Sequence, residues 1–181
     1  NYTSMWNSDK SISHRSIILG SLAEGKLTIT NFLRSDDCLQ TISAMRSLGA
    51  KIINFNEQII IEGIGLNAIK NPNKIIDAGN SGTLMRLLTG ILSVQNFSST
   101  ITGDDSLNLR PMRRIISPLV AHGAMIDSNN FKAPLKVIGN TKLSPIFYKQ
   151  DVASAQVKSC LMLAALFLSL IHIWRCRRSV L

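Results

Sequence analysis

Apolar positions recur with helical spacing in several blocks of the chain, and the blocks return in the same order 68 to 74 residues later. Leu39, Ile42, Met45 and Leu48 predict one amphipathic helix, and Leu107, Ile115, Ile116 and Leu119 predict its counterpart. Each stretch follows a double acid, Asp36-Asp37 and Asp104-Asp105, and each ends in Gly-Ala, at Gly49-Ala50 and Gly123-Ala124. The glycine is a helix stop. Short β-branched runs flank these stretches. Leu27 to Asn31, Lys51 to Asn54 and Gln58 to Glu62 predict strands in the first copy. Thr100 to Gly103, Met125 to Asp127 and Pro134 to Ile138 do so in the second.

A second set of helices obeys a similar offset. Ser11-Ile-Ser-His-Arg15 opens the apolar run Ile17 to Ala23, and Ser81-Gly-Thr-Leu-Met-Arg86 opens Leu87 to Leu92. Ser154-Ala-Gln-Val-Lys158 opens a third run from Cys160 to Ala165. Arg15, Arg86 and Lys158 are spaced by 71 and 72 residues. The repeat predicts units of helix, strand, helix, strand and strand over roughly 9–80 and 81–153, with an incomplete third unit over 154–170. An incomplete unit leaves the apolar faces of its neighbours uncovered, which implies a longer natural protein. Residues 171–181 have no register with the copies and change composition abruptly, so they read as a non-native junction. Residues 1–170 are then one partial domain.

Three helix starts in equivalent positions change the chemical picture. A helix N-terminus offers unpaired N–H groups and partial positive charge, so three of them pointing to one place suit a small ligand bearing phosphate and carboxylate groups. The plainer reading makes Ser11, Ser81 and Ser154 simple N-caps. The densest motif is Asp77-Ala-Gly-Asn80-Ser-Gly82-Thr83-Leu-Met-Arg86. Its glycines allow close backbone approach, and it lacks the Gly-Lys-Ser/Thr of a phosphate-binding P-loop. In Gly103-Asp-Asp-Ser-Leu-Asn-Leu-Arg110-Pro-Met-Arg-Arg114, Pro111 suits a first helical turn, with Arg110 just before it as a bidentate anion clamp.

Composition narrows the partners. The 181 residues are 45% hydrophobic, with 20 basic against 11 acidic residues and a net charge of +9. Three arginines in the last seven residues supply part of that charge, so the remainder is nearer +6. Such a balance attracts anions of any size. Aromatics are only 6% and none alternates with bases as a stacking platform, which argues against a nucleic-acid-binding module. Three cysteines without CxxC or zinc spacing, and a start without an apolar signal segment, point to a cytoplasmic protein with reduced thiols. The apolar run from Cys160 to Trp174 falls short of the roughly 20 residues of a membrane span and reads as a buried helix.

Together the motifs resemble the 3-phosphoshikimate 1-carboxyvinyltransferases, or EPSP synthases. The matching stretches are Asp9 to Arg15, Ser35 to Asp37, Asp77 to Thr83 with Arg86, Ser106 to Met112 and Val152 to Ser159. The resemblance runs in order from about Ser8 to Ala165. It implies an α/β (α+β) fold of repeated βαβαββ units in pseudo-threefold arrangement, one domain of a two-domain enzyme that is monomeric when complete. It also implies transfer of the enolpyruvyl group of phosphoenolpyruvate to the 5-hydroxyl of shikimate 3-phosphate, without metal or other cofactor.

Residue by residue, the resemblance makes Lys10 a base touching both substrates and Arg110 the clamp on the phosphoenolpyruvate phosphate. Ser11 and Arg15 become contacts to shikimate 3-phosphate, while Asn80, Gly82 and Thr83 form the loop beside phosphoenolpyruvate. Ser154 and Ala155 cradle the second phosphate, and Gln156 lies between the ligands. Many members have Ser where this chain has Ala155, which leaves only a backbone contact there. A related family acting on a UDP-sugar carries Lys-Asn at the first motif and a reactive Cys near Arg110. Here the first motif is Lys10-Ser11, and no Cys lies between Cys38 and Cys160. The family's acidic pair and second Lys lie in the other domain, so these 181 residues alone are expected to bind ligands without catalysing. Asp36 and Asp37 are expected only to start a helix.

Overall fold

A computed structural model describes residues 9–145, 148–149 and 153–168. The proposed junction at 171–181 lies outside the described residues, as does the end of the Cys160–Trp174 run. The first unit runs α1 (Lys10–Leu22), β1 (Glu24–Ile29), α2 (Asp36–Ser47), β2 (Lys51–Phe55) and β3 (Gln58–Ile64), followed by a 3-10 turn at Leu66–Ala68. β4 (Ile76–Asp77) comes next, and the second unit runs α3 (Gly82–Leu92), β5 (Ser98–Thr102), α4 (Asp105–Asn108), α5 (Arg113–Ala121), β6 (Met125–Asn129) and β7 (Lys132–Ile138). Helix α6 (Ala155–Phe167) follows.

Two sheets result, ordered β1-β3-β2 and β4-β5-β7-β6. β1 corresponds to β5, β2 to β6 and β3 to β7, so the copies share one antiparallel arrangement. Both hairpins turn through two residues with positive φ, Asn56-Glu57 and Asn130-Phe131. That is the turn geometry whose twist matches the flanking strands. The offset between these turns equals the 74 residues between Gly49 and Gly123, whose φ values are 102° and 100°. β4 adds a strand parallel to β5, pairing Ile76 with Ile101.

Helices α1, α3 and α6 share the core with α2 and α5. Ile17, Met45, Leu84, Leu88, Ile91, Ile115 and Cys160 are each fully excluded from solvent. The closest packing is between α3 and α6. A Cβ built on Gly90 would lie 2.2 Å from the carbonyl oxygen of Cys160, so the missing side chain is what lets the two helices meet.

Three sequence expectations need correction. The stretch from Leu107 to Leu119 is two helices, not one, because Asn108 folds its side chain back on Gly103, donating to its carbonyl at 2.7 Å and accepting from its N–H at 3.0 Å. That local bonding competes with helix continuation, and Pro111 disfavours helical geometry at Arg110. Pro111 stands one residue before the N-cap Met112 of α5, not in its first turn. Ser11 is not an N-cap: Asp9 caps α1 by accepting from the Ile12 N–H at 2.8 Å, which places Ser11 inside the first turn. Ser81 and Ser154 do cap α3 and α6.

Candidate active site

The start of α3 is the centre of the arrangement. Ser81 caps it and is followed by Gly82, where a Cβ would lie 2.7 Å from Arg86 Nη1 and 3.6 Å from Arg110 Nη1. The absent side chain thus makes room for two guanidinium groups over one helix start. Burial, and after it the nearby charges of Arg110 and Arg114, push the Arg86 pKa down. Like charges held this close are costly in the absence of an anion.

Neutral partners hold both arginines in place. Arg86 Nη1 donates to Gln156 Oε1 at 2.8 Å, and Gln156 Nε2 donates to Thr83 Oγ1 at 2.9 Å. Gln156 at the start of α6 is therefore locked to α3 by both ends of its amide. Arg110 Nη2 donates to Asn80 Oδ1 at 2.9 Å, and Asn80 Nδ2 donates to Asp104 Oδ2 at 2.7 Å. Asn80, Gly82, Thr83, Arg110 and Gln156, separated by up to 76 residues in sequence, are thus brought into one connected cluster.

The α1 group forms a second part of the same face. Arg15 donates through Nη1 to the Ser11 carbonyl at 3.1 Å and through Nη2 to Ser159 Oγ at 3.2 Å, tying α1 to α6. Lys10 Nζ forms an ion pair with Asp37. One turn along both helices, His14 Nδ1 meets Thr41 Oγ1 at 2.6 Å. Lys10 with His14 and Asp37 with Thr41 are each four residues apart, so α1 and α2 are joined by two rungs on facing stripes. His14 is fully buried, and its Nε2 has no hydrogen-bond partner among the described residues. Burial lowers its pKa to about 4, opposed by Asp37 and aided by Lys10 and Arg15. It is neutral at physiological pH.

Ser11 and Ala155 are exposed in the first turns of α1 and α6, and Ser154 caps α6 with its hydroxyl accepting from the Val157 N–H at 3.4 Å. The repeat makes Arg86 one of three bases carried one turn into the helix starts, and the resemblance includes it in the Asp77–Thr83 motif without naming its ligand. A lone charge among Leu84, Met85, Leu87 and Leu88 is the signal that marks it. Asp37 is expected only to start a helix. Asp37 does lie in the first turn of α2, and its carboxylate additionally holds Lys10. Among the described residues no helix is long and apolar enough to cross a membrane.

A face built from three capped helix starts and four basic side chains invites comparison with known proteins. The family profile of EPSP synthase (3-phosphoshikimate 1-carboxyvinyltransferase) matches residues 6–171. The chain belongs to the EPSP synthase family. The 3-phosphoshikimate 1-carboxyvinyltransferase of Ruthia magnifica is 53% identical over 159 residues, 88% of this chain and 37% of that protein. The Methylococcus capsulatus protein of the same name is 52% identical over 161 residues, with the same coverage. The solved EPSP synthase of Acinetobacter baumannii superposes with a TM-score of 0.85 at 44% identity, covering 89% of this chain and 37% of that one. The chain therefore spans about 37% of the length of these EPSP synthases.

Proposed function

We propose that the complete protein transfers the enolpyruvyl group of phosphoenolpyruvate to the 5-hydroxyl of shikimate 3-phosphate, and that this chain is the part of it that binds both anions. The observation that carries the reading is the meeting of Arg86 and Arg110 over Gly82, with Gln156 locked between Thr83 and Arg86. Two guanidinium groups without a direct acidic partner among the described residues, set at a helix start, favour a phosphate or carboxylate there.

In this reading Arg110 takes the phosphate of phosphoenolpyruvate, with Asn80, Thr83 and the Gly82 amide beside it. Ser11 and Arg15 hold shikimate 3-phosphate, and Ser154 and Ala155 receive its phosphate at the start of α6. Gln156 separates the two ligands, and Lys10 reaches both. The 5-hydroxyl oxygen then gives up its proton and forms a bond to C2 of phosphoenolpyruvate while the methylene carbon gains a proton, giving a tetrahedral intermediate. Cleavage of the C2–O bond to phosphate, with loss of a proton from the methyl group, yields the enolpyruvyl ether and free phosphate. The chain's fixed cations offset the mutual repulsion of two polyanions.

The proton donor and acceptor are assigned to the family's second domain. The repeat units are placed at 9–80, 81–153 and 154–170. The complete protein is read as a cytoplasmic monomer that uses no metal or other cofactor and binds no nucleic acid.

For the 181 residues themselves the expected behaviour is binding without turnover. Incubated with both substrates, the chain should release no phosphate above the uncatalysed background in a coupled phosphate assay. Measurable, protein-dependent release would overturn the assignment of the acid and base to the other domain.

A further inference from the structure

Asp104 is an exposed residue bonded to Asn80, and its bonding pattern is asymmetric. The Asn80 amide is held between a group that only donates, the Arg110 guanidinium, and a group that only accepts, the Asp104 carboxylate. Only one orientation of the amide satisfies both: NH2 toward Asp104 and oxygen toward Arg110. The reverse orientation sets oxygen against carboxylate and NH2 against guanidinium, losing both bonds. Asp104 Oδ1 also accepts from the Leu107 N–H at 2.7 Å, capping α4, so the carboxylate is fixed from its other side. The Asn80 bond, and after it the Leu107 bond, hold the Asp104 carboxyl below its ordinary pKa. Arg110 is the charged group that faces it.

We propose that Asp104 is a positioning residue for Arg110, dictating the orientation of the Asn80 amide so that its oxygen holds the guanidinium over the start of α3. The inference rests on the reading of Arg110 as an anion clamp. The device differs from that at Lys10, whose charge is met directly by Asp37. Arg110 is held by a neutral oxygen and keeps its charge for the ligand, while the carboxylate sits one amide away.

The test is Asp104→Asn in the 181-residue chain, since asparagine caps a helix as well as aspartate does and leaves α4 intact. The two possible roles give opposite signs. If Asp104 mattered only through its charge, removing a negative charge would tighten the binding of phosphoenolpyruvate. If it positions Arg110, binding should weaken about tenfold, the scale of one hydrogen bond to a charged group. Binding followed by isothermal titration at fixed salt, with an unchanged thermal midpoint as the control for folding, separates them. Affinity equal to or tighter than wild type overturns the proposal.

A second measurement needs no variant. Scalar couplings across hydrogen bonds should connect Asn80 Nδ2 to Asp104 Cγ, and Arg110 Nη2 to Asn80 Cγ, in low-temperature NMR of the wild-type chain. Their absence overturns the relay. If phosphoenolpyruvate binds neither chain, the clamp reading fails, and the couplings alone then decide whether Asp104 orients Asn80.

Discussion

Gly90→Ala should destabilise the chain by about 2 kcal/mol or more, although alanine is the better helix former by about 1 kcal/mol. The new Cβ would sit 2.2 Å from the Cys160 carbonyl oxygen and 3.0 Å from both its carbon and its Sγ. The obstacle is chiefly backbone of a neighbouring helix, which no rotamer change relieves. α3 and α6 must separate, and the contacts of Leu87, Ile91 and Leu161 near them loosen together. Gly20→Ala is the internal comparison. Its Cβ would meet Leu27 Cδ2 at 2.6 Å and Ile61 Cδ1 at 3.1 Å, both ends of side chains that can move. Urea unfolding of the two variants should show a large loss for Gly90→Ala and a loss under about 1 kcal/mol for Gly20→Ala. Wild-type stability in Gly90→Ala would refute the close helix contact. Because Gln156 opens α6 and is bonded to Thr83 on α3, the same substitution should also disturb the candidate site.

Acidification should weaken the fold through His14. Its folded pKa of about 4 lies below the ordinary value of 6.5, because burial disfavours the charged ring. Between those two values the unfolded chain binds the proton and the folded chain does not, so stability rises with pH across the window. The contribution is complete above pH 6.5 and is lost progressively toward pH 4. By pH 5 the loss is about 2 kcal/mol. His14→Gln keeps a neutral polar side chain beside Thr41 and removes the titration. The difference between wild type and His14→Gln in urea-unfolding free energy should therefore shrink or reverse between pH 7.5 and pH 5. Parallel pH profiles for the two chains would show that His14 does not take up its proton on unfolding. The site shares in this, since the His14–Thr41 rung lies one turn below the Lys10–Asp37 pair.

Much of the fold was legible because the apolar period is local information. Leu39, Ile42, Met45 and Leu48 mark α2, and the Gly49 and Gly123 stops fall where the helices end. Other elements depend on choices the period does not record. Asp9 and Ser11 are both good caps, and only the closed bond from the Ile12 N–H to Asp9 shows which one starts α1. β4 is two residues long and exists through its pairing with β5, so no local pattern announces it. The hairpin turns use Asn-Glu and Asn-Phe where a Gly would have been the readable signal.

The candidate site divides in the same way. Three equivalent helix starts could be read from the repeat, and the resemblance supplied roles for Lys10, Asn80, Arg110 and Gln156. The bonds that join them, Arg86 to Gln156, Gln156 to Thr83 and Asn80 to Asp104, span 70, 73 and 24 residues and follow no spacing rule. Asp104 acquires its place in the site only through such a contact.

The most direct measurement is an NMR titration of the 15N-labelled 181-residue chain with shikimate 3-phosphate and then phosphoenolpyruvate. The two ligands should shift the signals of Lys10, Arg15, Asn80, Thr83, Arg110 and Gln156, with the largest changes at the starts of α1, α3 and α6. No saturable shift at those residues, or shifts confined to other surfaces of the chain, would contradict the convergence of the helix starts on one anion site.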